Sequence, residues 1–147
     1  MGDNLKFILK YLKLLFFLKK EKIRLKTDSF GQNSYFISLG SDINKKLKTD
    51  VPLIVINKAL PKEEKMIIIL HELGHYFHFK KTNLNWPQYM KKYCNTTKNK
   101  LKIEKIAWKK AKNLLNYFNF SKSNDLFNAL KKDSLFSYKI GDKIYGK

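Results

Sequence analysis

The sequence contains little cysteine and little arginine. Cys94 is the only cysteine in 147 residues, so no internal disulfide can form, and we expect the protein to act in a reducing compartment such as the cytoplasm. Of 31 basic residues only Arg24 is an arginine, although arginine dominates the bidentate recognition of phosphates and bases. The net charge of +19 thus comes almost entirely from lysine. We therefore predict no specific nucleic-acid partner and expect the lysines to favour acidic partners or anionic surfaces only weakly.

The chain also lacks a hydrophobic run of the roughly 18 residues that are needed to span a bilayer. Lys6, Lys10 and Lys13 interrupt the apolar N-terminal stretch, and no small-residue cleavage site follows it, which argues against a secretory signal. We expect residues 1–20 to form an amphipathic helix that packs on the rest of the protein. A helix lying in a membrane surface is the alternative, because lysines flank a wide apolar face.

The length and composition predict one globular domain over residues 1–147, because 44% of the residues are hydrophobic and the chain is too short for two cores. Aromatic and β-branched residues predict three strands, with a lysine-rich loop before the last of them, at residues 23–27, 34–39 and 51–57. Helical patterns follow, and the first of them begins at Pro61; they lie at residues 61–79, 101–118 and 121–130. Residues 136–145 are expected as strand or loop. These elements predict an α+β fold with a small three-stranded sheet.

Residues 71–75 read His-Glu-Leu-Gly-His, the H-E-x-x-H pattern, on a predicted helix. Residues four apart lie on one face of a helix, so His71 and His75 can bind one metal ion from adjacent turns. Glu72 turns toward the same cleft, where it can act as general base by accepting a proton from water at the metal. The alternative is a buried helix that carries these polar residues by chance, which would leave them without evident partners.

A catalytic zinc site of this kind needs a third protein ligand. His78 is the only other histidine, but it would lie roughly 10 Å from His71 along the helix axis, so we do not expect it to share the ion. Glu104 is the only glutamate after Glu72, and it continues the apolar stripe of its helix, where a lone carboxylate needs a compensating charge. We therefore predict Zn²⁺ bound by His71, His75 and Glu104.

Two alternatives to this third ligand remain open from the sequence. Glu104 could instead form a salt bridge with a lysine near the start of its helix, either Lys100 or Lys105. Other carboxylates could also take the ligand position, although each lies in a polar segment; these are Asp125, Asp133 and Asp142.

The chain resembles the ImmA/IrrE family of H-E-x-x-H metallopeptidases, which occurs in bacteria, phages and mobile elements. The resemblance covers residues 22–118. In order, it comprises the predicted strands, a helix with an acidic start that carries H-E-L-G-H, and a later helix with Glu104-Lys-Ile-Ala107-Trp108. It implies a zincin-like fold and a third ligand in the form E-x-x-A-N-x-F-A. Glu104 and both alanines of that pattern are present, while Trp108 and Lys110 replace its Asn and Phe, which is closer to small phage-type relatives with E-x-x-A-W.

The sequence thus predicts a zinc metallopeptidase with a two-histidine, one-glutamate ligand set of the gluzincin type. The resemblance implies that its substrate is a peptide or a regulatory protein, since some members cleave transcriptional repressors. A tyrosine such as Tyr76 could stabilise the oxyanion, and the strand at 34–39 could hold an extended substrate. The alternatives are a non-catalytic, zinc-stabilised regulatory module of a phage or mobile element, and a lysine-rich nucleic-acid binder whose binding is steeply salt-dependent.

Overall fold

The computed structural model describes residues 2–28, 35–37 and 52–145. Helices and strands are mixed along these residues, which confirms the α+β class. The elements in chain order are α1 (Gly2–Lys20), β1 (Arg24–Asp28), β2 (Tyr35–Ile37), β3 (Leu53–Asn57), α2 (Lys62–Thr82), α3 (Trp86–Tyr93), α4 (Thr97–Tyr117), a short 3₁₀ helix (Ser121–Ser123) and α5 (Asn124–Tyr145). The predicted loop at 40–50 lies outside the described residues.

The sheet is arranged around β3. This strand pairs in parallel with β1 and antiparallel with β2, so it lies between them. Its residues from Leu53 to Ile56 are all buried, as expected for a strand that is covered on both faces. Pro52 has no N–H to donate and precedes the strand, and its carbonyl accepts the backbone N–H of Arg24 (2.9 Å). The first and third predicted strands therefore exist, shifted by one or two residues.

The α2 helix carries the H-E-x-x-H residues and runs through the core. It begins one residue after Pro61, and Glu63 and Glu64 occupy its first turn, where the helix dipole favours negative charge. Its central turns are buried from Met66 onward. The helix ends where Asn83 adopts the left-handed conformation, with a φ of 55°. A long, mostly buried helix thus positions the polar residues inside the protein.

The α3 helix was not predicted. The sequence indicated only an interruption at 83–87, whereas the structure confines the interruption to three residues and begins a new helix at Trp86. A capping box explains the start: Asn85 accepts the backbone N–H of Gln88 (2.9 Å), and the Gln88 side chain accepts the N–H of Asn85 (3.1 Å). Pro87 lies in the first turn, where its missing N–H costs nothing.

The α5 helix contradicts the prediction for the C-terminal region. Residues 121–130 were expected as a short helix and 136–145 as strand or loop, but one helix runs from Asn124 to Tyr145. Aromatic residues in the second half gave a strand-like composition. Apolar residues before this segment pack against the core at helical spacing, namely Leu126, Phe127, Leu130 and Leu135. Once that part of the helix is formed, each further residue adds a backbone hydrogen bond, and this propagation outweighs the strand-like composition of the segment.

The α1 helix packs on the protein through one face, as predicted. Leu14 and Leu18 are buried in the main core together with residues of α2 and α4. Phe17 contacts Phe77 of α2, with ring centroids 6.1 Å apart. Among the helices of the described residues, none combines the length and apolarity that crossing a bilayer requires.

Candidate metal centre

The α2 helix presents three polar side chains to one cavity. The potential ligand atoms of His71, Glu72 and His75 all lie within 4.8 Å of one another. His71 and Glu72 are buried and His75 is half-buried, and the centroids of the two imidazole rings are 4.7 Å apart. The structure therefore brings together the three residues that the sequence singled out on this helix, and it offers a group that could hold a metal ion.

Glu104 on α4 reaches both histidines at once. Its Oε2 atom lies 2.9 Å from Nε2 of His71, and its Oε1 atom lies 2.8 Å from Nε2 of His75. One carboxylate thus bridges the two imidazoles from the facing helix. In the described part of the chain, Glu104 forms its ion pairs with these histidines, and the salt bridge to Lys100 or Lys105 is not formed.

The close approach of α2 and α4 brings Glu104 into reach. Gly74 lies where the two helices cross, and a Cβ atom at this position would overlap the carbonyl oxygen of Ala107 and lie 3.0 Å from its Cα atom. Glycine therefore lets the backbones approach more closely than any other residue would allow. Glu104 precedes Ala107 by about one helical turn, so the same crossing sets its carboxylate against the histidines.

Trp108 fixes the ring of His71. The two rings are stacked, with centroids 4.3 Å apart and planes 17° from parallel. The indole Nε1–H of Trp108 donates to Oγ of Ser134 on α5 (3.2 Å), and Phe127 packs edge-on against the indole. Trp108 thus links His71 to a third helix. The pattern of the ImmA/IrrE family has asparagine at the position of Trp108.

The electrostatics of the cluster are dominated by its two carboxylates. Burial on its own would lower the pKa of His71, but hydrogen bonds to Glu104 and Glu72 outweigh burial and raise the pKa to about 9. Burial would likewise raise the pKa of Glu104, yet the hydrogen bonds from His71 and His75 hold that pKa well below its usual range. The cluster is therefore a buried, anionic environment that attracts positive charge.

The remaining sequence candidates whose side chains the structure describes lie away from the cluster. His78 is hydrogen-bonded through Nδ1 to the hydroxyl of Tyr89 (2.8 Å), and burial together with Lys110 lowers the pKa of His78. Asp125 and Asp133 are exposed, and the side chain of Asp142 lies outside the described residues. Tyr76 is buried in the main core and is not among the residues that line the cavity. The prediction that His78 lies outside the ligand cluster agrees with this geometry.

A cavity of about 650 Å³ opens onto the cluster. Apolar side chains from α2, α3, α4 and α5 form much of its wall, and α5 contributes polar groups that sequence reasoning missed, namely Ser134, Ser137 and Tyr138. Burial, the charge of Glu104 and a hydrogen bond to Glu104 raise the pKa of Tyr138 well above its usual range. The phenol therefore remains protonated in the part of the cavity wall that α5 contributes. No local pattern identifies Tyr138, since its position depends on how α5 folds back.

The residues present fit a zinc ion. Zinc binds imidazole nitrogen and carboxylate oxygen at about 2.0–2.2 Å, which places tetrahedral ligand atoms roughly 3.3 Å apart. The contacts between Glu104 and the two histidines, at 2.9 and 2.8 Å, are about half an ångström shorter than this. A small outward movement of the carboxylate would therefore suffice, and a cation would compensate the buried carboxylates.

Comparison with known protein families also indicates a metallopeptidase. The model of the peptidase M78 family, described as the IrrE N-terminal-like domain, matches residues 20–132. The chain belongs to the ImmA/IrrE family. No curated protein and no solved structure matches the chain.

Membership of the ImmA/IrrE family supports a metallopeptidase-type function. The matched range contains His71, Glu72, His75 and Glu104. It begins at the end of α1 and stops inside α5, so both α1 and the second half of α5 lie outside it. The part of the cavity wall that includes Tyr138 therefore lies outside the matched range.

Proposed function

We propose that this ImmA/IrrE family member is a zinc-dependent metallopeptidase with a zincin-like arrangement, in which His71, His75 and Glu104 hold the ion. The observation that carries the proposal is the convergence of the two Nε2 atoms on one carboxylate, at 2.9 and 2.8 Å. Two imidazoles and one carboxylate form a ligand set that is typical of zinc peptidases. Three protein ligands also leave one position open, which distinguishes a catalytic from a structural zinc site.

The chemistry divides between the ion and the side chains around it. Bound zinc would supply a Lewis acid that polarises a carbonyl and makes water more acidic. The carboxylate of Glu72, which lines the same cavity, would accept the proton of the attacking water and pass it to the leaving amine. Its Oε1 atom lies 3.3 Å from Nδ1 of His71, so the neighbouring ring orients the base.

Tyr138 is the residue that we propose as the second donor to the substrate. Its hydroxyl stays protonated because burial and Glu104 raise its pKa. This phenol lines the cavity and is hydrogen-bonded to Glu104 in the structure, and by turning its O–H to the substrate it would donate a hydrogen bond to the carbonyl oxygen as negative charge develops there. This assignment replaces Tyr76, which is packed in the core.

The cavity also favours a protein or peptide substrate. Side chains such as Ile68, Trp86 and Leu130 line it and would accommodate an apolar side chain next to the scissile bond. β2 pairs with β3 on one side only among the described strands, so its outer edge can add an extended peptide as a further strand. We propose that backbone pairing gives affinity and the apolar wall gives selectivity.

The substitution Glu72→Gln tests this function. It preserves the shape of the side chain but removes the base, so we expect peptide hydrolysis to fall by about 100- to 10,000-fold while bound zinc is retained. Glu63→Gln is the matched control, because Glu63 is exposed in the first turn of the same helix and should leave both properties unchanged. Rates on a denatured protein substrate and zinc content by atomic emission are the measurements.

The same experiment distinguishes the peptidase from the main alternative, which is a non-catalytic module that zinc only stabilises. Such a module predicts zinc binding without hydrolysis in the wild type, and no loss of any binding activity in Glu72→Gln. Full hydrolysis by a Glu72→Gln protein that retains zinc would contradict the assignment of the base.

A further inference from the structure

The outer face of α1 exposes a row of large apolar side chains. Leu14 and Leu18 face the core, whereas five residues at spacings of three and four lie on the opposite side with 41–69% of their surface exposed: Leu5, Ile8, Leu9, Leu12 and Phe16. We call these five residues the outer stripe. Single exposed apolar residues are ordinary, but a continuous helical stripe of this size marks an interaction surface.

Three lysines lie directly beside the outer stripe. Lys6, Lys13 and Lys20 are exposed and are spaced seven residues apart, so they form one row along the helix, which we call the lysine row. Lys13 lies four residues after Leu9, and Lys20 lies four residues after Phe16, which makes each a surface neighbour of the stripe. The helix therefore combines an apolar face with a cationic border.

A groove extends this surface beyond α1. It has a volume of about 490 Å³ and is bordered by Lys10, Lys13 and Lys20 and by two of the most exposed aromatic side chains, Phe16 and Tyr117. The Nζ of Lys10 donates to the carbonyl oxygen of Asn119 (2.6 Å). An amphipathic tyrosine beside an apolar ring and lysines is typical of protein surfaces that meet lipid headgroups.

We propose that the outer stripe and the lysine row dock α1 in the plane of an anionic membrane surface. The apolar face would enter the boundary between headgroups and acyl chains, and the lysines would contact anionic headgroups. Charge favours an anionic surface over a second copy of the chain, because each copy would bring a lysine row of the same sign to the interface. Side-chain chemistry decides against single-stranded nucleic acid, because four of the five stripe residues are aliphatic and cannot stack on bases.

Docking in this orientation leaves the metal cavity accessible. Phe17 of α1 packs against Phe77 of α2, and Phe77 lies two residues after His75, about 200° around the helix. The α1 side of α2 is therefore nearly opposite to the side that carries the histidines. Membrane binding stands on its own observations and does not depend on the proposed peptidase activity.

Vesicle flotation at physiological salt tests the proposal with the full-length protein. We expect wild type to bind phosphatidylcholine vesicles that contain about one third phosphatidylglycerol, and not to bind pure phosphatidylcholine. The triple variant Leu9→Gln, Leu12→Gln, Phe16→Gln keeps the charge and the helix propensity, and should bind at least tenfold more weakly. Lys6→Gln, Lys13→Gln, Lys20→Gln should weaken binding by roughly 100-fold, at about fivefold for each lysine.

A matched control removes the same charge from another helix. Lys102, Lys105 and Lys109 are exposed on α4, and their triple glutamine variant should lose little affinity. Phe136→Gln removes an exposed aromatic residue of α5 and should have no effect. Circular dichroism checks that each variant is folded, as we expect for changes at exposed positions.

Four results would overturn the proposal. The first is a wild-type protein that does not bind anionic vesicles. The second is an equal loss in the α4 lysine control, which would indicate non-specific attraction by the whole cationic protein. The third is a wild-type dimer that the stripe variant converts to monomer, which would assign the face to a second copy. The fourth is competition by single-stranded DNA that depends on Phe16 but not on the aliphatic residues, which would assign it to nucleic acid.

Discussion

The two walls of the metal cavity are built in different ways. One wall is the crossing of α2 and α4, which lies inside the matched family range and depends on a backbone contact at Gly74. The other wall is the second half of α5, which lies beyond residue 132 and contributes Tyr138 and Ser134. The first wall brings together the cluster that we propose as the metal site, whereas the second lines the same cavity and carries the hydroxyl of Tyr138. Changes in the first wall should therefore remove the centre, and changes in the second should alter what the centre does.

Gly74→Ala should have the largest effect, because it separates α2 from α4. Overpacking against the backbone of Ala107 would destabilise the fold by about 3 kcal/mol, and the better helix propensity of alanine would offset about 1 kcal/mol of that. We expect a net loss of about 2 kcal/mol together with weaker zinc binding, measured by denaturant unfolding and metal titration.

Gly2→Ala is the control for this prediction, because a Cβ atom on Gly2 meets nothing within 4 Å. It should leave both measurements unchanged. Normal stability and zinc affinity in Gly74→Ala would mean that the crossing does not position Glu104.

Tyr138→Phe should change the rate and spare the ion. Loss of the hydroxyl removes a donor to the developing oxyanion, so we expect hydrolysis to slow by about 100-fold while zinc content stays at the wild-type level. Tyr93→Phe is a suitable control, because Tyr93 belongs to α3 and packs against His78 outside the cavity lining. Wild-type kcat in a Tyr138→Phe enzyme would show that the hydroxyl of Tyr138 on α5 takes no part in the reaction.

The smallest effect should come from the hydrogen bond that joins the two walls. Ser134→Ala removes the acceptor of the Trp108 Nε1–H group and should cost about 1 kcal/mol of unfolding free energy. Trp108→Phe removes the donor but also leaves space beside His71 and Phe127, so its own cost is larger and only the coupling between the two changes measures the hydrogen bond. A double-mutant cycle should show a coupling of about 0.5–1 kcal/mol between them. Strict additivity of the two changes would show that the walls are energetically independent.

Sequence reasoning found the first wall because its signals are local. The spacing of His71 and His75 is fixed by one helical turn, and Glu104 interrupts an apolar stripe on another helix, so both could be read without knowing how the helices pack. Even so, their roles as ligands remain predictions. Gly74 was not recognised, because the need for glycine arises only when Ala107 of α4 approaches.

The second wall was missed for a related reason. Phe136 and Tyr138 gave residues 136–145 a strand-like composition, yet the segment continues α5. In the described part of the chain, the α5 residues that pack against the core end at Leu135, before the segment begins. The helix is therefore established by packing upstream and propagates through the segment, and no pattern within the segment reports it. The α3 helix was overlooked although Asn85, Pro87 and Gln88 form a readable start signal.

Zinc analysis of Glu104→Gln beside wild type and His75→Ala tests the central claim most directly, because the variant keeps the shape of the buried side chain. Asp133→Ala, which changes an exposed carboxylate of α5, serves as the control. We predict one zinc ion per chain in wild type and in Asp133→Ala, and little zinc in either of the other variants. One full equivalent of zinc in a folded Glu104→Gln protein would contradict the assignment of Glu104 as the third ligand.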